Sequence, residues 1–233
     1  MLFRSLNYRT VTPSIAGQRL SAPLTAADSS SIEGAYDSLY GFAERRVEHV
    51  LHPSGIPVGY WRSVGPSITC FAVESAMDQA AAVAGVDPVT FRKGMLPSRV
   101  TALLDSVVAQ MGWDPANPIP AASGRGVAIS NGFASYVAVA VEVTKDAVLG
   151  TMIVSKVAVA IDCGIVTNSD QVIAQMQGGV IHGISSALWG QTTFSNGKAS
   201  SRNFSNTRVL RMKETPQILV NMIDHREIGR AHV

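Results

Sequence analysis

The chain has 233 residues, 46% of them hydrophobic and 15% charged, a composition typical of a globular protein with a sizeable core. A net charge of +2, with no basic run longer than Arg45-Arg46, lacks the pattern of a nucleic-acid binder, so we expect no nucleic acid among its partners. No apolar run reaches the roughly 18 residues that a membrane-spanning helix needs, so we also expect no transmembrane segment.

The first half of the chain predicts one strand and three helices after an irregular start. Residues 1–35 are rich in Ser, Thr, Ala and Pro, which is typical of loop or extended wrapping segments. Uneven alternation predicts a strand over 46–52. Helices are predicted over 71–84, ended by Gly85, from Pro88 behind an Asp87 cap, and from Ser98 to Gly112 with a regular apolar stripe.

The second half predicts mainly strands and one long helix. After a linker at 115–126, two long strands buried on both faces are expected over 126–144 and 152–162. Asn168-Ser169-Asp170 predicts the start of a helix over 171–188. Asn196-Gly197 predicts a hairpin, and strands are expected over 208–212 and 217–223. The sequence therefore predicts an α+β fold of mixed sheets with packed helices.

We divide the chain into three parts. Residues 1–114 form a helical or α+β segment that carries Arg62, and residues 115–225 form a β-rich segment with the 171–188 helix. Residues 226–233 are expected to be a non-native tail, because 228–233 are what the start of a common sequencing-library adapter would encode. On this interpretation the chain is a fragment. Met1 to Arg4 start neither a signal peptide nor a twin-arginine leader, and no localisation is predicted.

Arg62 lies in a predicted loop between Gly59 and Gly65, directly before a helix start. A guanidinium held there could bind a phosphate or a planar polar ligand through paired donors. The alternative is a structural salt bridge, and the residues alone leave both open.

Gln175 is a polar residue in an apolar helix, one turn before Gly178-Gly179. Each helical glycine costs about 1 kcal/mol relative to alanine, so the pair indicates close packing or the approach of a ligand. A buried glutamine bonded to neighbouring backbone is the alternative. His182 on the same helix is expected to be a packed core histidine.

Other polar residues are assigned structural roles. His49 and His52 have a spacing that metals use, but no third ligand accompanies them, and we place them at a surface strand end. Cys163, in Asp162-Cys163-Gly164, could be an active thiol at the end of a buried strand. With Cys70 it is too few for a disulfide framework, and both cysteines are expected to be reduced and buried.

The run Gly59-Tyr60-Trp61-Arg62-Ser63-Val64-Gly65-Pro66, followed by Phe71-Ala72-Val73-Glu74, resembles the molybdenum hydroxylase family, which includes xanthine dehydrogenase and aldehyde oxidase. A second block, Asp162-Cys163-Gly164 through Gln175-Met176-Gln177-Gly178-Gly179, matches the family in the expected order. The resemblance covers about residues 12–225. It implies that the fold is part of the molybdopterin-binding domains of the large subunit.

The resemblance also implies roles for four residues. Arg62 would lie beside the cofactor and the substrate channel, and Gln175 and Gly178 would contact the cofactor. Val64 stands at the substrate position where xanthine-oxidising relatives have an aromatic residue, which argues against a purine substrate. The implied cofactor is molybdenum held by molybdopterin cytosine dinucleotide, the implied partner is a small [2Fe–2S] subunit, and the implied substrate is an N-heteroaromatic ring or an aldehyde.

The family's catalytic glutamate lies in a Gly-Glu-Pro loop, and no Gly-Glu pair occurs in this sequence. Glu214, in Lys213-Glu214-Thr215-Pro216, is not that residue, and Asp162-Cys163-Gly164 is a structural strand end in the family. We therefore expect no catalytic residue here, and neither bound molybdenum nor hydroxylase activity in the isolated chain. The alternatives are a non-catalytic homologue or scaffold that keeps the fold and the partner-binding surface, and an unrelated α+β binding domain.

Overall fold

The computed structural model describes residues 5–20, 27–116, 119–201 and 203–223, so the predicted tail at 226–233 lies outside the described residues. Helices combined with parallel and antiparallel strand pairs confirm the α+β class. The elements, in chain order, are β1 (Ser5–Thr12), α1 (Ile15–Leu20), α2 (Ser29–Ile32), β2 (Glu44–Leu51), α3 (Pro66–Ala84), α4 (Pro88–Lys93), α5 (Ser98–Met111), β3 (Ser123–Gly132), β4 (Ser135–Lys145), β5 (Met152–Asp162), α6 (Ser169–Trp189), β6 (Phe194–Ser195), β7 (Lys198–Ala199), a 3₁₀ turn (Met212–Glu214) and β8 (Gln217–Met222).

A four-stranded sheet in the order β3-β4-β5-β8 organises the second half of the chain. The first three strands are antiparallel, and β8 joins β5 in parallel. Residues 157–162 of β5 are at most 5% exposed, so this part of the strand is covered on both faces, as predicted. Such burial explains its nearly continuous apolar sequence.

Small and larger side chains alternate along β4 and β5, and this alternation gives the sheet two different faces. Ala138, Ala140, Ala158 and Ala160 face the core that also contains the α5 stripe. Val157 and Val159 pack on the opposite side with Ile184 of α6. The alanines let α5 approach closely, while α6 covers the valine face.

The predicted single strand over 126–144 is wrong, because the structure has the hairpin β3-β4 there. Gly132 pairs with Ser135, which leaves Phe133 and Ala134 as a two-residue turn with φ of 51° and 59°. Turns of this kind need positive φ at both positions and usually contain Asn and Gly. Because Phe and Ala are not usual turn residues and the flanking sequence is apolar, the sequence did not predict this turn.

Where the structure describes residues 1–35, predicted as loop or extended wrapping segments, it has one extended strand and, in addition, two short helices. β1 pairs in parallel with β2, from Ser5 opposite Glu44 to Thr12 opposite Leu51. A parallel pair needs a long crossover, and α1 and α2 lie within it. The strand predicted over 46–52 is confirmed by β2.

The ends of α3 and α5 and the start of α4 confirm the predicted capping residues, whereas α3 begins at Pro66, five residues before the predicted start at Phe71. Gly85 and Gly112 end α3 and α5 in the left-handed conformation, with φ of 65° and 58°. The Asp87 side chain accepts hydrogen bonds from the backbone of Val89 and Thr90 at the start of α4. The buried stripe of α5 joins one core that continues across residue 114, and the division of the chain there stays a prediction. That stripe consists of Val100, Leu103, Leu104, Val107 and Met111.

A buried ionic network joins α3 and α4, and nothing in the sequence pattern indicated it. The fully buried Arg92 guanidinium donates from Nε to Glu74 Oε2 at 3.0 Å and from Nη1 to Asp78 Oδ1 at 2.6 Å. The Tyr40 hydroxyl donates to Glu74 Oε1 at 2.8 Å. Burial raises the pKa of both Glu74 and Tyr40. These bonds join the middle of α3 to α4 and to Tyr40.

Of the elements predicted after α6, two are confirmed and one is wrong. The Asn196-Gly197 hairpin is confirmed by β6 and β7, and β8 confirms the strand predicted over 217–223. The strand predicted over 208–212 is wrong. Glu214 accepts from the Arg211 backbone N–H at 3.1 Å and from Arg208 Nη2 at 2.6 Å, so local bonds close a 3₁₀ turn instead of a strand ladder.

Candidate functional site

The loop before α3 has an unusual backbone. Ser63 and Val64 have φ of 69° and 56°, and the left-handed region is unfavourable for a β-branched residue such as Val64. Conformations of this kind cost about 1–3 kcal/mol each and persist only where surrounding contacts impose them. The contacts of this loop are therefore informative.

One side of the loop is fixed by the segment that follows α2. A Cβ added to Gly65 would lie 2.8 Å from Glu33 Cβ and 3.0 Å from the Glu33 carbonyl oxygen, so only glycine fits. The buried Thr69 hydroxyl donates to the carbonyl oxygens of Glu33 and Gly65. Together these contacts hold the junction between the loop and α3.

The other side of the loop contacts α6, which begins where the Asn168 side chain caps the backbone N–H of Gln171. Arg62 Nη2 donates to the Gln175 backbone carbonyl oxygen at 3.2 Å. A Cβ added to Gly178 or Gly179 would lie 3.8 or 3.7 Å from a guanidinium nitrogen of Arg62. The two sequence blocks thus meet, with the guanidinium lying against the paired glycines.

The sequence left open two structural roles, a salt bridge for Arg62 and a buried amide for Gln175, and the described part of the chain shows neither. Arg62 is exposed, and its side chain forms no ion pair within the described part of the chain. Gln175 is exposed as well, so the buried glutamine is wrong. One guanidinium donor bonds to a carbonyl, and the others and the Gln175 carboxamide can bind a ligand.

Trp61 and His182 make a second contact between the loop and α6. Their ring centroids are 5.3 Å apart, with the planes inclined by 41°. His182 is half-buried, and its Nε2 atom is buried without a hydrogen-bond partner among the residues that the structure describes. The sequence interpretation of His182 as a packed histidine missed its aromatic partner, since only the fold brings Trp61 to it.

Val64 and Arg62 have different neighbours. It lines a cleft of about 520 Å³ together with Tyr36, Tyr60, Phe133 and Glu33, and neither Arg62 nor Gln175 is among the lining residues. The loop therefore presents Tyr60 and Val64 to the cleft, whereas Trp61 and Arg62 contact α6. Phe133 belongs to the β3-β4 turn that the sequence concealed, so the cleft could not be anticipated.

Asp162 is a structural residue, in agreement with the expected strand end. Its fully buried carboxylate accepts from Arg99 Nε at 2.6 Å and from Nη2 at 3.0 Å, and the Gly164 backbone N–H donates to it at 3.1 Å. Both cysteines are free, but each is only half-buried, which corrects the expected burial. Burial raises the pKa of the Cys70 thiol to about 12.

The two histidines of β2 and its end take structural or exposed positions. His49 Nδ1 accepts from the Asp28 backbone N–H at 3.2 Å, and Nε2 lies 3.1 Å from the Thr12 hydroxyl; His52 is exposed. Across the described ranges, no three His, Cys, Asp or Glu side chains are grouped to hold a metal ion. None of the described helices is long and apolar enough to cross a membrane.

Comparison with known proteins shows the family of the chain. The molybdopterin cofactor-binding domain family matches residues 98–216. The chain is 32% identical over 191 residues to the beta subunit of isoquinoline 1-oxidoreductase from Brevundimonas diminuta, covering 79% of this chain and 24% of that protein. It is 29% identical over 184 residues to a subunit of nicotinate dehydrogenase from Pseudomonas putida, covering 72% and 16%.

A solved structure gives the same picture of the fold. The aldehyde oxidoreductase of Desulfovibrio desulfuricans superposes with a TM-score of 0.63 at 11% identity, covering 97% of this chain and 42% of that one. The chain spans about a quarter or less of the length of the curated relatives it matches. It belongs to the molybdopterin cofactor-binding domain family and is a member of the molybdenum hydroxylases.

Proposed function

We propose that this chain is the part of a molybdenum hydroxylase large subunit in which Arg62, Gln175 and Gly178 bind molybdopterin cytosine dinucleotide and Val64 lines the substrate pocket. The observation that carries the proposal is the contact of the Arg62 guanidinium with the Gln175 carbonyl and the glycine pair of α6. The division into segments 1–114 and 115–225 is part of the proposal, since each segment contributes one side of that contact.

The residues present fit such a group. A pterin carries donors and acceptors on its ring edge, and the dinucleotide carries phosphates. The exposed Arg62 guanidinium supplies positive charge and paired donors for either, and the Gln175 carboxamide donates and accepts at once. Gly178 and Gly179 leave the helix backbone open to close approach. The bound cofactor supplies the molybdenum chemistry, while the chain binds and orients it.

The proposed substrate is an N-heteroaromatic ring or an aldehyde, oxidised with water as the oxygen source. The relatives named for isoquinoline and nicotinate support the N-heteroaromatic ring. The aromatic side chains of Tyr36, Tyr60 and Phe133 around Val64 suit a flat ring, because apolar lining with a few polar groups is typical of small-molecule sites. The electrons would pass to a small [2Fe–2S] partner subunit.

We assign no catalytic residue to this chain. The Glu214 carboxylate is engaged by Arg208 and the Arg211 backbone, and these bonds hold its pKa below the ordinary value, as suits a structural anion and not a general base. General-base catalysis contributes about 10²- to 10⁴-fold in rate. Without that base we expect the isolated 233-residue chain to be inactive, and we also expect it to hold no stoichiometric molybdenum.

The test uses the polypeptide encoded by the complete open reading frame that contains this sequence, expressed with its iron–sulfur partner in a host that makes the cofactor. Molybdenum and released CMP are measured for wild type, Arg62→Ala and Gln175→Ala, with the exposed Arg46→Ala as control. Loss of both in the first two variants supports the proposal, and full retention refutes it. A Gly-Glu-Pro loop in the same reading frame favours the enzyme over the scaffold.

A further inference from the structure

We propose that His182 is a positioning residue, whose ring holds Trp61 on α6 and thereby fixes the neighbouring Arg62 guanidinium over Gly178 and Gly179. The effect on cofactor binding rests on the proposed function. The contact itself does not.

The spacing of the residues on α6 supports this role. Gln175, Gly178, Gly179 and His182 stand at positions i, i+3, i+4 and i+7, which share one face of a helix. Arg62 contacts the first three and Trp61 the fourth. Two consecutive loop residues therefore lie along a single stripe of α6, with the aromatic contact one turn beyond the guanidinium.

Arg62 depends on such a neighbour. Its exposed side chain makes one hydrogen bond to α6 within the described ranges, at 3.2 Å, and a long flexible side chain loses much rotamer freedom when it is held in place. The junction at Gly65 and Thr69 fixes the loop from the side of Glu33 only. Arg19 of α1 lies over the Tyr60 ring at 4.9 Å from its centroid, and on the side of α6 the anchor is the Trp61–His182 contact.

The histidine is held there by its ring and not by a polar role of Nε2. That atom is buried and has no hydrogen-bond partner among the described residues, an arrangement that folded proteins generally avoid. What remains is the tilted contact with the indole, 5.3 Å between centroids, within the range of favourable aromatic pairs. A phenylalanine would keep the contact and remove the uncompensated nitrogen.

Fluorine NMR of the 233-residue chain labelled with 5-fluorotryptophan tests the contact directly. The sequence has three tryptophans, and Trp61→Phe assigns the Trp61 signal. In His182→Ala this signal is expected to move toward its position in the unfolded chain. The reason is that an aromatic pair changes the equilibrium between the packed and the released indole by about 2- to 10-fold. In His182→Phe it should stay dispersed.

Two internal controls separate loss of the contact from loss of the fold. Trp189 lies at the end of the same helix beneath Arg208, and Trp113 donates to Asp87, so both signals should stay unchanged in His182→Ala. The exposed Gln171→Ala, in the first turn of α6, should leave all three unchanged. A Trp61 signal that does not move in His182→Ala overturns the proposal.

Molybdenum content of the longer polypeptide gives the second readout. His182→Ala should lower the molybdenum content, as Arg62→Ala does. His182→Phe should keep the content within about twofold of wild type, since the aromatic pair survives. Loss of molybdenum in His182→Phe with an unmoved Trp61 signal would show that Nε2 serves a ligand, which contradicts a positioning role. If wild type itself holds no molybdenum, the proposed function fails, and the Trp61 signal alone decides the role of His182.

Discussion

The Arg62 guanidinium donates a hydrogen bond to the backbone carbonyl of Gln175, a residue 113 positions later in the chain. This bond joins the strained loop before α3 to the glycine-rich face of α6. It brings together the two sequence blocks on which the family resemblance depends, at a surface where the loop, the helix backbone and an exposed carboxamide converge.

Two of the three glycines of α6, Gly178 and Gly183, allow stability to be separated from ligand binding. An alanine at Gly178 would meet Arg62 at an ordinary contact distance of 3.8 Å, and at Gly183 it would meet nothing within 4 Å. Both substitutions should raise or preserve helix stability, by up to about 1 kcal/mol. We expect only Gly178→Ala to lower the molybdenum content of the longer polypeptide, as measured beside thermal melts. Equal retention in both variants would remove Gly178 from the site.

The Arg99–Asp162 pair should contribute strongly to the fold. Asp162 is fully buried and accepts two hydrogen bonds from one guanidinium, so Asp162→Asn leaves the largely buried Arg99 without this charge partner. Breaking such a pair costs about 3 kcal/mol. Urea unfolding should show this loss, together with a much smaller change for Glu214→Gln, whose Arg208 partner is half exposed. Comparable changes in both would mean that the burial of Asp162 is not what matters.

The two cysteines should differ in reactivity. Burial raises the pKa of Cys70 to about 12, so at pH 8 roughly one thiol in 10⁴ is ionised, and the thiolate is the reactive form. In the folded chain, a disulfide reagent at pH 8 should modify Cys163 first and leave Cys70 unreacted until denaturant is added. Mass spectrometry of Cys163→Ser, which should show no rapid labelling, provides the control.

Stability at acid pH should reflect the Arg125–Glu142 pair between β3 and β4. The hydrogen bond from Arg125 lowers the pKa of Glu142 from its ordinary value of 4.5. A lowered folded-state pKa means stabilisation that is present above pH 4.5 and lost as the pH falls below it. Wild type should exceed Glu142→Gln by about 0.5–1 kcal/mol at pH 7, and the difference should vanish toward pH 3. A difference that persists at pH 3 would exclude this cause.

The sequence was sufficient for elements whose signals are local. The Asp87 cap, the left-handed glycines at 85 and 112, and the apolar stripe of α5 each depend on residues within a few positions, and the structure confirms them. The Phe133-Ala134 turn failed the same reasoning, because its positive φ values are imposed by strand pairing and not by the residue types usual there.

The candidate site could be predicted only in part from local sequence signals. Arg62, Gln175, Gly178 and Val64 were singled out by resemblance, and their ligand roles stay predictions, although the structure brings the first three together. Trp61 and His182 carried no local signal, since each is an ordinary residue until the fold brings their rings into contact. The buried Arg92–Glu74 network was missed for the same reason, because its bonded members are 14 to 34 positions apart in the sequence.

A structure of the longer polypeptide with its cofactor bound tests the central claim most directly. We predict the Arg62 guanidinium and the Gln175 carboxamide within hydrogen-bond distance of the cofactor, roughly 3 Å, with the glycine pair of α6 facing it. A cofactor bound elsewhere, with neither side chain in contact with it, would contradict the assignment of this site.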